Sequence, residues 1–180
     1  GRETLTILPD GSTRTMTYND AFGTTRVSGS QTYPSETKVD AFGQQVALTT
    51  WQDFAGNAGA ATTVWSFDGA TGLLAEKQFT DGKKVSYQYD MLGRLSQRKW
   101  ARGVVTNYAY SPAGPLAQVT YSDGTPAVSY LYDRNGNLIS AGGYGYSFDQ
   151  DSMLPTSETI PVFGTNETRT LQRKRDGLLR

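Results

Sequence analysis

Between Asp81 and Ser140 this sequence writes one pattern nearly three times. Val85-x-Tyr87-x-Tyr89-Asp90-x-x-Gly93-x-Leu95 is followed by Thr106-x-Tyr108-x-Tyr110-Ser111-x-x-Gly114-x-Leu116. Val128-x-Tyr130-x-Tyr132-Asp133-x-x-Gly136-x-Leu138 completes the series. Tyr89, Tyr110 and Tyr132 mark its phase, 21 and then 22 residues apart. Asp81-Gly82, Arg102-Gly103 and Asp123-Gly124 interleave with them. A self-similar period of about 20 residues signals a repeat architecture, in which each unit buries its apolar face against its neighbours.

Each half of the period has a physical reading. Val85, Tyr87 and Tyr89 alternate with Lys84, Ser86 and Gln88, which predicts a half-buried strand and not a helix. Asp-Gly between two such runs predicts a hairpin with a type I′ turn, which needs φ > 0 at both central residues. Asp-x-x-Gly predicts a second, slightly longer turn, because Asp bonds its own backbone and Gly takes the left-handed conformation. One repeat is thus strand, tight turn, strand, longer turn. Its buried face is marked by the tyrosine, the residue two before it and the leucine two after the glycine.

Residues 1–180 read as a single array, best formed over 81–140 and degenerate over 1–53 and 141–180. Asp20-Ala21-Phe22-Gly23 and Asp40-Ala41-Phe42-Gly43 repeat one turn in the first part. Between them, Tyr33-Pro34 favours an edge or a bend over a central strand. Residues 54–61 form a Gly/Ala-rich insertion, placed at a hairpin tip because loops absorb insertions more readily than strands. Thr63-x-Trp65-x-Phe67-Asp68 restores the register, with Gly72 one residue late. Beyond Ser140 the pattern decays through Tyr144, Tyr146, Phe148 and Asp149, with no glycine at the turn. Pro155 and Pro161 bracket a poorly periodic stretch, and the chain closes on the charged run Arg173-Lys174-Arg175.

Tyr89-Asp90-Met91-Leu92-Gly93-Arg94-Leu95 resembles the YD repeat of the bacterial RHS family, and Tyr132-Asp133-Arg134-Asn135-Gly136-Asn137-Leu138 matches nearly as well. The family extends to toxin-complex shell proteins, wall-associated polymorphic toxins and teneurins. The resemblance implies an all-β fold of antiparallel hairpin repeats, wound as a curved, twisted spiral sheet that forms a segment of a β-shell. It also implies a secreted or cell-surface protein whose shell encloses a C-terminal toxin or effector, or an adhesion module. The expected partners are further repeats of a longer chain, or a second copy meeting this one through open sheet edges.

Composition narrows the chemistry. Cys and His are both absent, which excludes disulfides, thiolate–zinc sites and the Ser-His-Asp and Cys-His nucleophile systems. Seventeen basic residues balance seventeen acidic ones, so the excess of a sequence-independent nucleic-acid binder is missing. No apolar run is long enough for a membrane-spanning helix. No cofactor, metal or catalytic residue is expected. Asp149 and Asp151 form the nearest thing to a carboxylate pair, but Asp149 fits the turn position of a repeat. Asp133-x-Asn135-x-Asn137 resembles the start of a calcium loop, yet has Leu138 and Tyr144 where such a loop needs Gly and Glu.

The aromatic residues are the remaining candidates. Stacking of Tyr87, Tyr108 and Tyr130 across neighbouring strands would be worth about 0.2–1 kcal/mol per pair and is enough to explain their spacing. Alternatively, aromatic side chains form platforms for sugar rings. Trp51 and Trp100 are the better carbohydrate contacts if either stands outside the marked face. The repeat positions themselves (Tyr87, Tyr89, Asp90, Gly93, Leu95, Tyr108, Tyr110, Gly114, Leu116, Tyr130, Tyr132, Asp133, Gly136 and Leu138) are read as structural.

Overall fold

A computed structural model describes residues 2–162, 164–165 and 167–174. The last residues of the charged run, from Arg175 on, lie outside the described residues. Among the described residues the chain is all-β, with sixteen strands and no helix. It divides into two units, Gly1–Gly103 and Val104–Arg180.

The first unit is a meander of nine strands in chain order. They are β1 (Leu5–Ile7), β2 (Thr13–Asn19), β3 (Thr24–Gly29), β4 (Thr32–Val39), β5 (Gln45–Thr50), β6 (Ala61–Phe67), β7 (Leu74–Gln78), β8 (Lys84–Tyr89) and β9 (Leu95–Lys99). Each pairs antiparallel with the next. The second unit repeats this plan with β10 (Val105–Tyr110), β11 (Leu116–Tyr121), β12 (Val128–Tyr132), β13 (Leu138–Ala141), β14 (Tyr144–Phe148), β15 (Pro155–Pro161) and β16 (Thr168–Gln172). Sequential antiparallel pairing follows directly from connections this short, because a tight turn can only return the chain alongside itself.

The turns differ from the sequence expectation. At Asp81-Gly82 only the glycine has positive φ, +80°. The Phe79 N–H donates to the Lys83 carbonyl and the Gly82 N–H to the Phe79 carbonyl, both at 2.9 Å. That is a type I turn closed by a left-handed glycine, not type I′; Asp81 keeps negative φ and so avoids the cost of a left-handed non-glycine residue. Asp90-x-x-Gly93 has the same bonds, Asp90 N–H to Arg94 O and Gly93 N–H to Asp90 O, again at 2.9 Å. The two turns of a repeat are therefore the same length. The turns at Asp68 and Asp149 carry one extra residue, with Gly72 and Met153 in the left-handed slot at φ of +70° and +57°.

A second recurrent device is invisible in the alternation. Tyr89 faces Leu95, but Gln88 faces Gln97, so Ser96 is an extra residue on β9. The same skip omits Ala75 on β7, Ala117 on β11 and Ile139 on β13. Such a bulge follows the Asp-x-x-Gly turn and resets which residues share the tyrosine face. Arg98, three residues after Leu95, thereby stands opposite Tyr87.

One proline expectation is corrected. Pro34 lies inside β4, an interior strand, because β3–β4 pairing jumps from Gly29↔Thr32 to Val27↔Ser35 and leaves Pro34 in an irregularity where no ladder N–H is needed. Pro155 and Pro161 occupy the first and last positions of the regular strand β15.

The core is thin. Among the described hydrophobic residues only Trp51, Val85 and Val119 are buried, and apart from the buried Thr106 the tyrosine face is otherwise half-buried. A single layer of strands covers side chains only with their neighbours on the same face.

Candidate functional site

The turn aspartates are built as local scaffolding. Asp90 Oδ1 accepts the N–H groups of Leu92 and Arg94, each at 2.9 Å, and Oδ2 accepts Arg94 Nε at 2.8 Å. Asp133 repeats this with the N–H groups of Asn135 and Asn137 and the Asn137 side-chain amide. Those bonds hold Asp133 below the usual carboxylate range, the Asn137 amide first among the causes. Around Asp90 partial desolvation pushes upward and is outweighed by the Arg94 and Leu92 donors. Asp68 is lowered chiefly by the Thr71 hydroxyl. Asp149 Oδ1 is likewise taken by the N–H groups of Asp151 and Ser152 and by the Ser152 hydroxyl. Its carboxylate closes a turn, as repeat phase suggests. In Asp133-x-Asn135-x-Asn137 the two Asp133 oxygens are likewise spent on the turn.

The tyrosines work differently from the expected cross-strand stack. Each repeat contributes two strands, so equivalent tyrosines fall on alternate strands. Tyr108 on β10 faces Val119, and Tyr130 on β12 faces Ala141. With β11 between them, β10 and β12 are roughly 9–10 Å apart, which rules out stacking of directly paired rings. Tyr89 instead donates its hydroxyl to the Leu74 carbonyl at 2.9 Å, and Tyr18 reaches the Glu3 carbonyl in the same way. The first ties β8 to β7, and the second ties β2 to the segment just before β1. Burial pushes the Tyr89 hydroxyl pKa up.

Between the aromatic rows stand cations. Lys77 faces Trp65 across the ladder, with Nζ 5.5 Å from the Trp65 ring and 4.9 Å from that of Phe79. Arg98, one repeat later, faces Tyr87, with its guanidinium 5.6 Å from the Tyr87 ring and 3.5 Å from that of Trp100. A cation thus sits between the aromatic residue of the preceding strand and the aromatic two residues on, at Lys77-x-Phe79 and Arg98-x-Trp100. Sequence reading missed this second motif, although its 21-residue spacing was there to find. Val119-x-Tyr121 is the second unit's apolar version.

Val85, Tyr87, Lys77, Phe79, Arg98 and Trp100 line a cavity of about 290 Å³. Of the two tryptophans singled out from sequence, Trp100 is here. It stands on the marked face and not outside it, because the Ser96 bulge turns it there. Trp51 is not a surface platform. It is 5% exposed, its Nε1–H donates to Asn57 Oδ1 at 2.9 Å, and Phe54 packs edge-on at 5.2 Å. Residues 51–60 form the loop between β5 and β6, bridged by Asp53↔Ala58, and Trp51 is the centre of that loop's own small core.

Strand, Asp-capped turn and bulge recur together on the Tyr-Asp-x-x-Gly-x-Leu frame at Asp90 and Asp133. The frame resembles that of YD repeats. No protein-family model and no curated protein matches the sequence. Among solved structures the chain is similar to a crystal structure of TcdB2-TccC3, at 14% identity over 88% of this chain and 13% of that one, with a TM-score of 0.42. It is similar at 15% identity, 88% and 12% coverage and a TM-score of 0.42 to the Photorhabdus luminescens Tc holotoxin pore carrying a TccC3 variant. A TcdB2-TccC3-Cdc42 crystal structure matches at 16% identity, 88% and 12% coverage and a TM-score of 0.38. This chain therefore spans only about an eighth of the length of those chains.

Proposed function

We propose that this chain is a non-catalytic wall module of a large secreted or surface RHS/YD-repeat protein, one whose shell encloses a C-terminal toxin or effector. The observation that carries the reading is the thin core. Repeat follows repeat in strict order, and the aromatic face stays half-buried, as expected of a wall whose units are sealed by neighbours and contents. Of the pair Asp149 and Asp151, the Asp149 carboxylate is committed to closing a turn. Among the described residues strands β1 and β16 each have a single neighbour, and Leu5, Ile7 and Leu171 are exposed on them. Strands with an open side and apolar residues recruit further strands, from the same protein or from a second copy.

The test is protease protection of the native protein purified from its producing cell. A mass many times that of 180 residues, with a C-terminal remainder that resists protease until the shell is denatured, supports a container wall. A native protein of about this size, or a remainder cleaved at the rate of the free polypeptide, refutes encapsulation.

A further inference from the structure

We infer that the cavity between β7 and β9 is a binding site for a carboxylate carried on an apolar peptide side-chain cluster, such as Glu beside Phe. The proposal goes beyond the wall reading and does not depend on it, since a peptide can be bound whether or not anything is enclosed.

Charge and accessibility carry the argument. Lys77 and Arg98 both face the cavity, and neither forms an ion pair among the described residues. Lys77 has only ring contacts. Arg98 has ring contacts, and its Nε is buried without a hydrogen-bond partner. None of the described residues lining the cavity is acidic. Three other cations of this unit are matched, Lys84 with Glu76, Arg94 with Asp90 and Arg26 with Glu36, at 2.7–2.9 Å, while Arg14, Lys38 and Lys99, which have no ion pair among the described residues, are exposed to water. Two half-buried cations left without a counter-charge on an apolar floor favour an anion, since a desolvated charge gains more from a partner than an exposed one.

The same geometry argues against sugar stacking. A carbohydrate ring needs an open aromatic face, but Arg98 covers one face of Trp100 at 3.5 Å and Lys77 lies over Phe79. What the cavity offers a ligand is positive charge rimmed by ring edges and by the buried Val85 methyls. Its 290 Å³ lies just below the range of about 300–1,000 Å³ usual for small-molecule pockets. The size suits one or two side chains of a peptide.

Saturation-transfer NMR on the full protein tests this with acetyl-Phe-Glu-amide against its neutral isostere acetyl-Phe-Gln-amide, and with glucuronate against glucose. The acidic peptide is expected to bind at least about tenfold tighter than the neutral one, equivalent to roughly 1.4 kcal/mol. Raising the salt should weaken it. Lys77→Gln and Arg98→Gln should each abolish the difference, with thermal melting confirming that the variants fold. If Arg98→Gln fails to fold, Lys77→Gln alone decides. Equal binding of the two peptides, retained discrimination in folded Lys77→Gln, or binding of glucose as strong as that of the acidic peptide would each overturn the proposal.

Discussion

Trp51 separates a folding role from a ligand role, and a double-mutant cycle with Asn57 measures which it has. The indole N–H reaches Asn57 Oδ1 at 2.9 Å across a part-buried loop, and Asn57 holds φ of +51°. Trp51→Phe keeps a ring against Phe54 but removes the donor and part of the buried surface. It should cost about 2 kcal/mol, near 1 for the hydrogen bond and near 1 for lost apolar contact. Asn57→Gly removes the acceptor while keeping a residue comfortable in the left-handed region. The bond can be lost only once, so the double variant should be more stable than the summed single effects predict, by about 1 kcal/mol. Urea denaturation followed by far-UV circular dichroism gives each value from the midpoint and slope. A coupling below about 0.3 kcal/mol, within the error of additivity, would refute the loop-core account. Trp51→Ala, which also strands Arg26 beside an empty site, should cost roughly 3–5 kcal/mol.

Three further outcomes follow from the geometry. A methyl at Gly29 would collide with the Thr13 carbonyl of the paired strand β2, whereas one at Gly93 meets nothing closer than Leu73 Cδ1 at 3.8 Å and has only its φ of +75° to contend with. Gly29→Ala should therefore lower the urea midpoint far more than Gly93→Ala, which costs about 1 kcal/mol; equal effects would deny the close β2–β3 approach. Asp68, Asp90 and Asp133 titrate below the unfolded value in the folded protein, so their contribution is complete above the unfolded pKa of about 3.9 and is lost as pH falls through the folded values. Replacing all three by Asn should flatten the fall in stability between about pH 5 and pH 2, and an unchanged slope would count against the turn caps. Deleting Ser96 removes the β9 bulge and should turn Arg98 and Trp100 to the other face. The observable is loss of the acidic-peptide preference while strand content is kept, and a retained preference would show that the bulge does not set the face.

The phased Tyr-Asp-x-x-Gly-x-Leu series made the strand order readable, because alternation and turn chemistry are local properties. Turn type was misread at Asp81-Gly82, where sequence cannot tell one left-handed residue from two. Pro34 looked like the mark of an edge strand or a bend because local propensity does not see that the ladder steps around it. The largest miss was the bulge. Ser96, Ala117 and Ile139 are unremarkable residues whose role exists only in the pairing of two strands. Without them the sequence leaves the face of Arg98 and Trp100 open, and the cation-and-ring motif stays hidden. Trp51 and Trp100 are alike as letters, yet one is closed off by a ten-residue loop and the other lines a cavity. That difference lies in tertiary contacts.

The bulge acts as a frame correction. A strand has only two frames, up and down, and one stray residue ordinarily inverts everything downstream. The same single skip follows the shorter turn at Asp90 and the longer one at Asp68, and pairing across each turn keeps Trp65 in phase after the long loop beyond Thr50 and Val85 and Tyr87 in phase after the extra residue at Asp68. Errors of length are cancelled within one unit and are not inherited by the next. A chain written this way can gain, lose or lengthen its turns by single residues, and the inner and outer lettering of every later strand stays the same.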